Sequence, residues 1–269
     1  LGSNPNYAVS KTDALLTVGQ KTATVVAAAK DKIYGAANPV LTETVTGTEN
    51  GDTLIYGLAT AANAFSGVGT YDIVVTLGEN PNYAVSKTDA LLTVGQKTAT
   101  VVAAAKDKIY GAANPVLTET VTGTVNDETL VYSLATDVDN TTGIGAYPIV
   151  VTLGENPNYA VSKTDALLTV GQKTATVVAA AKDKIYGAAN PVLTETVTGT
   201  ENGDTLIYGL ATAADEFSGV GTYDIVVTLG SNPNYAVSKT DALLTVGQKT
   251  ATVVAAAKDK IYGAANPVL

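Results

Sequence analysis

The sequence contains no cysteine, histidine, methionine or tryptophan, and its 16 basic residues are all lysine. Without His or Cys the chain lacks the usual general base, the thiolate nucleophile and the standard zinc ligands, so only carboxylate, hydroxyl and lysine chemistry remains. Missing cysteine also removes the risk of wrong disulfides between similar segments, although it assigns no compartment. No apolar run approaches the roughly 18 residues of a membrane-spanning helix, and no signal-peptide pattern is present. The chain begins at Leu1 rather than Met, so that second absence says nothing about export. Positive charge is scarce too: 25 acidic residues against 16 lysines give a net charge of −9, which repels duplex nucleic acid and anionic membranes.

What is present is repetition. The segment Leu-Gly-(Glu or Ser)-Asn-Pro-Asn-Tyr starts at Leu1, Leu77, Leu153 and Leu229, a constant step of 76 residues. The chain thus reads as a partial module at 1–20, complete modules at 21–96, 97–172 and 173–248, and a second partial module at 249–269. The first and third complete modules differ only at Asn63/Asp215, Ala64/Glu216 and Glu79/Ser231. The middle one departs mainly between Val125 and Pro148. Identical segments flanking one variable stretch are expected of a length-generating unit whose junctions are held constant.

Within one module, runs 22–27, 40–46, 54–58, 70–76, 83–86 and 90–94 are rich in β-branched and apolar residues with a period of two, and they predict six strands. Turn signals separate them at Tyr34-Gly35, Asn38-Pro39, Asn50-Gly51-Asp52, Ser66-Gly67-Val68-Gly69 and Gly78-Glu79-Asn80-Pro81-Asn82. The expectation is an all-β chain of tandem immunoglobulin-like β-sandwich modules. A short helix from Val25 to Lys30 competes through alanine propensity, but the run has no 3.6-residue stripe. Only Gly95-Gln96-Lys97 stands between consecutive modules, too short to decouple them, and an extended, fairly stiff rod is predicted.

The segments Lys32-Ile33-Tyr34-Gly35-Ala36-Ala37-Asn38-Pro39, Val45-Thr46-Gly47, Asn50-Gly51-Asp52-Thr53-Leu54, Val68-Gly69-Thr70-Tyr71, Asn82-Tyr83 and Leu92-Thr93-Val94 resemble, in order and spacing, the MBG-type immunoglobulin-like repeats of large bacterial surface proteins. The resemblance spans the whole chain and implies a β-sandwich spacer of adhesins and other long secreted proteins. It departs at Ala36, where the family usually has an acidic residue. It brings no catalytic residue with it.

No catalytic, cofactor-binding or metal-binding residue is assigned, and no cofactor. Gly67-Val68-Gly69 lacks the third glycine and following helix of a phosphate loop. Ser86-Lys87 stand adjacent on a strand and point to opposite faces, which disfavours a nucleophile–base pair. Asp137-Val138-Asp139-Asn140 resembles the opening of a Ca²⁺ loop without its Gly and terminal Glu. Glu79-Asn80-Pro81-Asn82, with Glu155 and Ser231 in later copies, is a second place for calcium between modules. Asn140-Thr141-Thr142 matches a glycosylation acceptor. Tyr34 and Tyr71 read as corner or end-packing residues, with a sugar platform as the alternative. Lys30, Lys32 or Lys87 with Asn38, Glu43 or Asp89 are the residues from which an internal Lys–Asn/Asp crosslink would be drawn.

The expected function is a structural segment of a bacterial extracellular filament or stalk, with neighbouring repeats and neighbouring copies as partners. The alternative is an adhesin that recognises a glycan or protein through the stretch 125–148, and a carboxylate enzyme is the third reading. The incomplete ends are expected to continue with the same period in a longer chain, or else to be completed by strands from neighbours.

Overall fold

The structure, a computed structural model, describes residues 2–268. Its regular structure is all strand: each complete repeat carries seven, and no helix occurs among the described residues. In the first repeat these are β1 (Lys21–Ala27), β2 (Lys30–Ile33), β3 (Glu43–Thr46), β4 (Tyr56–Thr60), β5 (Gly69–Leu77), β6 (Tyr83–Thr88) and β7 (Ala90–Gly95). The second and third repeats reproduce the set as β8 to β14 and β15 to β21. The chain divides into two compact units, one of residues 1–103, 119–134 and 151–164, the other of 104–118, 135–150 and 165–269. The division passes through the second repeat, so the first and third each lie wholly within one unit.

Two sheets form the first repeat, in the orders β3-β1-β6 and β2-β7-β5-β4. Alternation builds the core between them. Ala23, Val25 and Ala27 point inward from β1, Ile73 and Val75 from β5, and Leu92 from β7, while Val26, Val74 and Leu91 between them stay exposed. The third repeat repeats this arrangement with Val177, Ile225, Val227 and Leu244 fully buried.

The first and last strands both change sheets, β1 to β2 across Ala28-Ala29 and β6 to β7 across Asp89. They run parallel throughout: Lys21 lies beside Tyr83 and Val26 beside Thr88 before the crossing, and Lys30 beside Leu92 and Ile33 beside Gly95 after it, all at one offset. At the crossing β7 begins beside Ile73 and leaves Val75 of β5 without a strand partner on that side. Asp89 supplies one, its Oδ1 accepting from the Val75 amide at 2.7 Å, while Lys87 Nζ donates to the Val75 carbonyl at 2.7 Å. The Val75 amide first, and then Lys87, which also donates to Asp89 Oδ1 at 3.2 Å, hold the Asp89 carboxyl below its usual range.

Two local expectations change. Strand β2 lies in a segment for which the sequence predicts no strand, whereas β1 bears out the strand expected over 22–27 against the competing helix. Pairing of β1 with β3 and β6 outweighs alanine's helical propensity there, and pairing with β7 makes β2 a strand. The end segments expected to supply strands carry none: residues 2–20 and 249–268 are irregular and exposed almost throughout. Residues 229–248 are identical in sequence to 1–20, yet Tyr235–Thr240 and Ala242–Gly247 are strands. The difference is the partner, since Tyr235 pairs with Lys173 and Leu244 with Lys182, whereas an unpaired strand leaves every backbone group to water.

Candidate functional site: the tyrosine joint between repeats

β2 ends in a tight turn at Tyr34-Gly35. The Tyr34 amide donates to the Gly95 carbonyl at 2.9 Å, and the Ala36 amide to the Ile33 carbonyl at 3.1 Å. Gly35 takes φ +81°, in the left-handed region that a glycine adopts without strain. The turn is buttressed from within. Lys32 is buried and its ammonium donates to the carbonyls of Ala36 and Asn63, and Asn38 Nδ2 donates to the Ala62 carbonyl at 2.6 Å. Burial pulls the Lys32 ammonium below its usual value.

This turn aims Tyr34 at the next repeat. The Tyr34 hydroxyl donates to the Glu128 carboxylate, and Tyr159 donates to the other oxygen of that carboxylate at 2.5 Å. The Tyr159 hydroxyl also accepts from the Val125 amide at 3.2 Å. The two rings pack edge to face, with centroids 5.5 Å apart and planes at 77°. Gly35 sits against Val125 so closely that a Cβ there would lie 2.8 Å from a Val125 methyl. Around this centre the Val68 amide donates to Asn158 Oδ1 at 3.1 Å and Gln96 Nε2 to the Pro157 carbonyl at 3.1 Å.

The second unit builds the same joint between the second and third repeats. Tyr110 and Tyr235 donate to one oxygen of Asp204 at 2.8 and 2.6 Å, with ring centroids again 5.5 Å apart. The Ile144 amide reaches Asn234 Oδ1 at 3.2 Å, and Gln172 Nε2 the Pro233 carbonyl at 2.9 Å. Asn140 and Asn202 add two hydrogen bonds, Nδ2 of Asn140 to Oδ1 of Asn202 at 3.2 Å and Nδ2 of Asn202 to the Asn140 carbonyl at 3.0 Å. Burial depends on the following repeat: Tyr34 and Tyr110 are 2% and 4% exposed, while Tyr186, their counterpart in the third repeat, is 43% exposed.

Carboxylate and phenols shift each other in the manner of charge-assisted hydrogen bonds. The hydrogen bond to Glu128, aided by burial, pushes the Tyr34 phenol up to about 12. Burial and then Asp204 push Tyr235 up to about 12 as well. In return, Tyr159 and then Tyr34 hold the Glu128 carboxyl below its ordinary value, and Tyr235 and then Tyr110 do the same for Asp204.

The structure distributes the residues singled out in the sequence as follows. Tyr34 is an end-packing residue, as its place in the turn predicts, whereas Tyr71 stays within its repeat and donates to the Gly67 carbonyl at 2.9 Å. Asp139 Oδ1 accepts from the amides and hydroxyls of Thr141 and Thr142 at 2.8–2.9 Å, which holds its carboxyl down to about 2. Glu79 and Asp52 line one open cleft with Asn80 and Asn82, and Glu155, Asp127 and Glu128 line its counterpart. No group of three or more acidic side chains that could hold a metal comes together among the described residues. Ser86 and Lys87 diverge, Ser86 Oγ toward the Ala23 carbonyl and Lys87 toward Val75 and Asp89. The counterparts of Lys32 and Asn38 do meet, with Lys108 Nζ 3.0 Å from Asn114 Oδ1 and Lys184 Nζ 3.0 Å from Asn190 Oδ1, as hydrogen bonds to the amide oxygen.

One expectation about the variable stretch is corrected. Junctions were expected to be constant and the stretch 125–148 to lie apart from them. Instead Val125 and Glu128 form the first joint, and Asn140 and Ile144 take part in the second. Sequence reasoning treated the junction as three linking residues and so missed the side chains that surround it. The recurrent Tyr-Gly, paired with an acidic position 94 residues further on, was the signal available.

No curated protein sequence matches. Among solved structures, the Escherichia coli adhesin FdeC is 14% identical over 86% of this chain and 100% of its own, with a TM-score of 0.24. Drosophila N-cadherin EC1-4 is 10% identical over 86% of this chain and 76% of its own, at 0.29. The I9–I11 tandem of titin is 11% identical over 86% and 98%, at 0.20. The sequence profile described as MBG domain (YGX type) matches residues 23–93, 99–169 and 175–245. Each match contains one Tyr-Gly-Ala turn, at Tyr34, Tyr110 and Tyr186. These matches cover more than three quarters of the chain, which therefore belongs to the MBG domain family, YGX type, as a tandem array.

Proposed function

We propose that the chain is a non-catalytic spacer, a segment of a bacterial extracellular stalk or filament that sets the distance between whatever lies beyond its two ends. The observation that carries this reading is the joint. A single residue separates β7 from β8 (Lys97–Ala103), and the Tyr34–Glu128–Tyr159 cluster fixes the turn of one repeat onto the loops of the next. Membership of a tandem-repeat domain family supports the reading, as does a composition without His or Cys.

The variable stretch favours a spacer over an adhesin. Val125, Glu128, Asn140 and Ile144 are spent on neighbouring repeats, and at position 141 the middle repeat has Thr where the first has Phe65, so the stretch lacks an added aromatic patch of the kind ligands favour.

Small-angle scattering of the whole chain tests the proposal. A spacer gives one long dimension, and it shortens or broadens when Tyr34 and Tyr110 are both changed to Ala. A compact particle, or a profile that the double change leaves untouched, would overturn it.

A further inference from the structure

We propose that the joint tyrosine pairs, Tyr34 with Tyr159 and Tyr110 with Tyr235, are oxidation sites that a one-electron oxidant converts to dityrosine, joining consecutive repeats covalently. This is a property of the joint and does not depend on the spacer reading.

Composition is the first ground. Cysteine and methionine are the side chains oxidised most readily, and tryptophan and histidine are the other common targets; the chain has none of the four. Tyrosine, present 14 times, is its one remaining redox-active side chain type. An electron vacancy placed on this chain therefore ends on tyrosine.

Geometry is the second. Only two ring pairs make aromatic contacts among the described residues, and both are these joints. In each, the two hydroxyls converge on a single carboxylate, Glu128 in one joint and Asp204 in the other. The two rings of each pair are thereby held in contact with their hydroxyl ends on a common partner. Coupling asks these edge-to-face rings to turn toward each other, and holding reactants together in this way replaces a bimolecular encounter with a local one.

The carboxylate supplies the third. When a phenol loses an electron its proton must leave as well, and Glu128 or Asp204 is already the acceptor of that hydrogen bond. The four rings are only 2–6% exposed, which keeps the rings of other chains away from the radical and leaves the adjacent ring as its partner.

With hydrogen peroxide as the oxidant, delivered by a haem peroxidase, the step balances. Each phenol gives up one electron and one proton, and the two radicals join through a carbon–carbon bond between positions ortho to the hydroxyls. The ortho hydrogens return to the oxygens as the rings regain aromaticity, and the peroxide is reduced to two waters. The product is lighter than the starting chain by two hydrogens for each joint closed.

The test treats the intact chain with peroxidase and peroxide, then cleaves after lysine. Tyr34 then lies in peptide 33–87, Tyr110 and Tyr159 in 109–163, and Tyr235 in 185–239. The expected result is dityrosine fluorescence in monomeric protein, with 33–87 joined to 109–163 and 109–163 joined to 185–239. In Tyr159→Phe the first product disappears and the second persists, which also shows that the variant is folded. Tyr110→Phe gives the reverse. The proposal is overturned if no dityrosine forms, if it forms only between chains through exposed tyrosines such as Tyr7 and Tyr262, or if Tyr159→Phe still joins 33–87 to 109–163.

Discussion

Tyr34 of the first repeat and Tyr159 of the second meet edge to face at 5.5 Å and share the carboxylate of Glu128. Tyr186 occupies the same position in the third repeat but lies 43% exposed. Tyr34→Ala is therefore expected to lower the thermal midpoint by several degrees and to separate the unfolding of the first two repeats, while Tyr186→Ala changes little. Calorimetry of both variants checks this, and equal effects would show that the tyrosine serves its own repeat rather than the joint.

The joint should be sensitive to pH on both sides. The Glu128 carboxyl is depressed in the folded state, so its contribution is complete above the unfolded value of about 4.3 and is lost as pH falls through the folded one. The Tyr34 phenol is raised to about 12, so its contribution is complete below about 10 and is lost as pH rises through the folded value. Stability measured against pH should show a plateau between these limits. Glu128→Gln should lower that plateau by about 1–3 kcal/mol and flatten its acid side.

Gly35 and Gly187 separate two costs that usually come together. Both adopt a left-handed φ, +81° and +78°. A methyl at Gly35 would meet Val125 at 2.8 Å, whereas one at Gly187 would find only the end of Lys249 at 3.8 Å. Gly187→Ala is expected to cost about 1–2 kcal/mol of backbone strain. Gly35→Ala should cost more by the steric clash, and Val125→Ala should recover that excess but not the strain. Urea titration of the three variants resolves the two parts.

Ile73 and Val74 are neighbours on β5 facing opposite ways, the first fully buried and the second exposed. Ile73→Ala should destabilise the first repeat by about 2–5 kcal/mol through the cavity it leaves. Val74→Ala should stay within about 1 kcal/mol. A similar loss at both positions would contradict the inward register assigned to β5.

Much of the fold was legible because alternation in runs such as Gly69–Leu77 is dictated by one buried face. Strand β2 was not, since Lys30-Asp31-Lys32-Ile33 is short and charged, and becomes a strand by pairing with β7. The end segments make the same point in reverse. Residues 7–19 share their sequence with the strands Tyr235–Thr240 and Ala242–Gly247 and the residue between them yet form no strand, because local sequence specifies a strand only where an edge receives it. For the site, Tyr34 could be read as an end-packing residue from its turn. Glu128 could not be assigned to it, because 94 residues separate them and a neighbouring repeat brings them together.

The parallel pairing of first and last strands has a mechanical meaning. Lys21 sits beside Tyr83 at one end of the pair and Ile33 beside Gly95 at the other, in a single register. Tension applied to the two ends of a repeat pulls these strands past each other lengthwise, so the hydrogen bonds between them are strained together in shear instead of parting one after another like a zipper. A repeat held this way resists stretching up to a threshold and then gives way in one event, and the array extends under force in discrete steps, one for each repeat that yields.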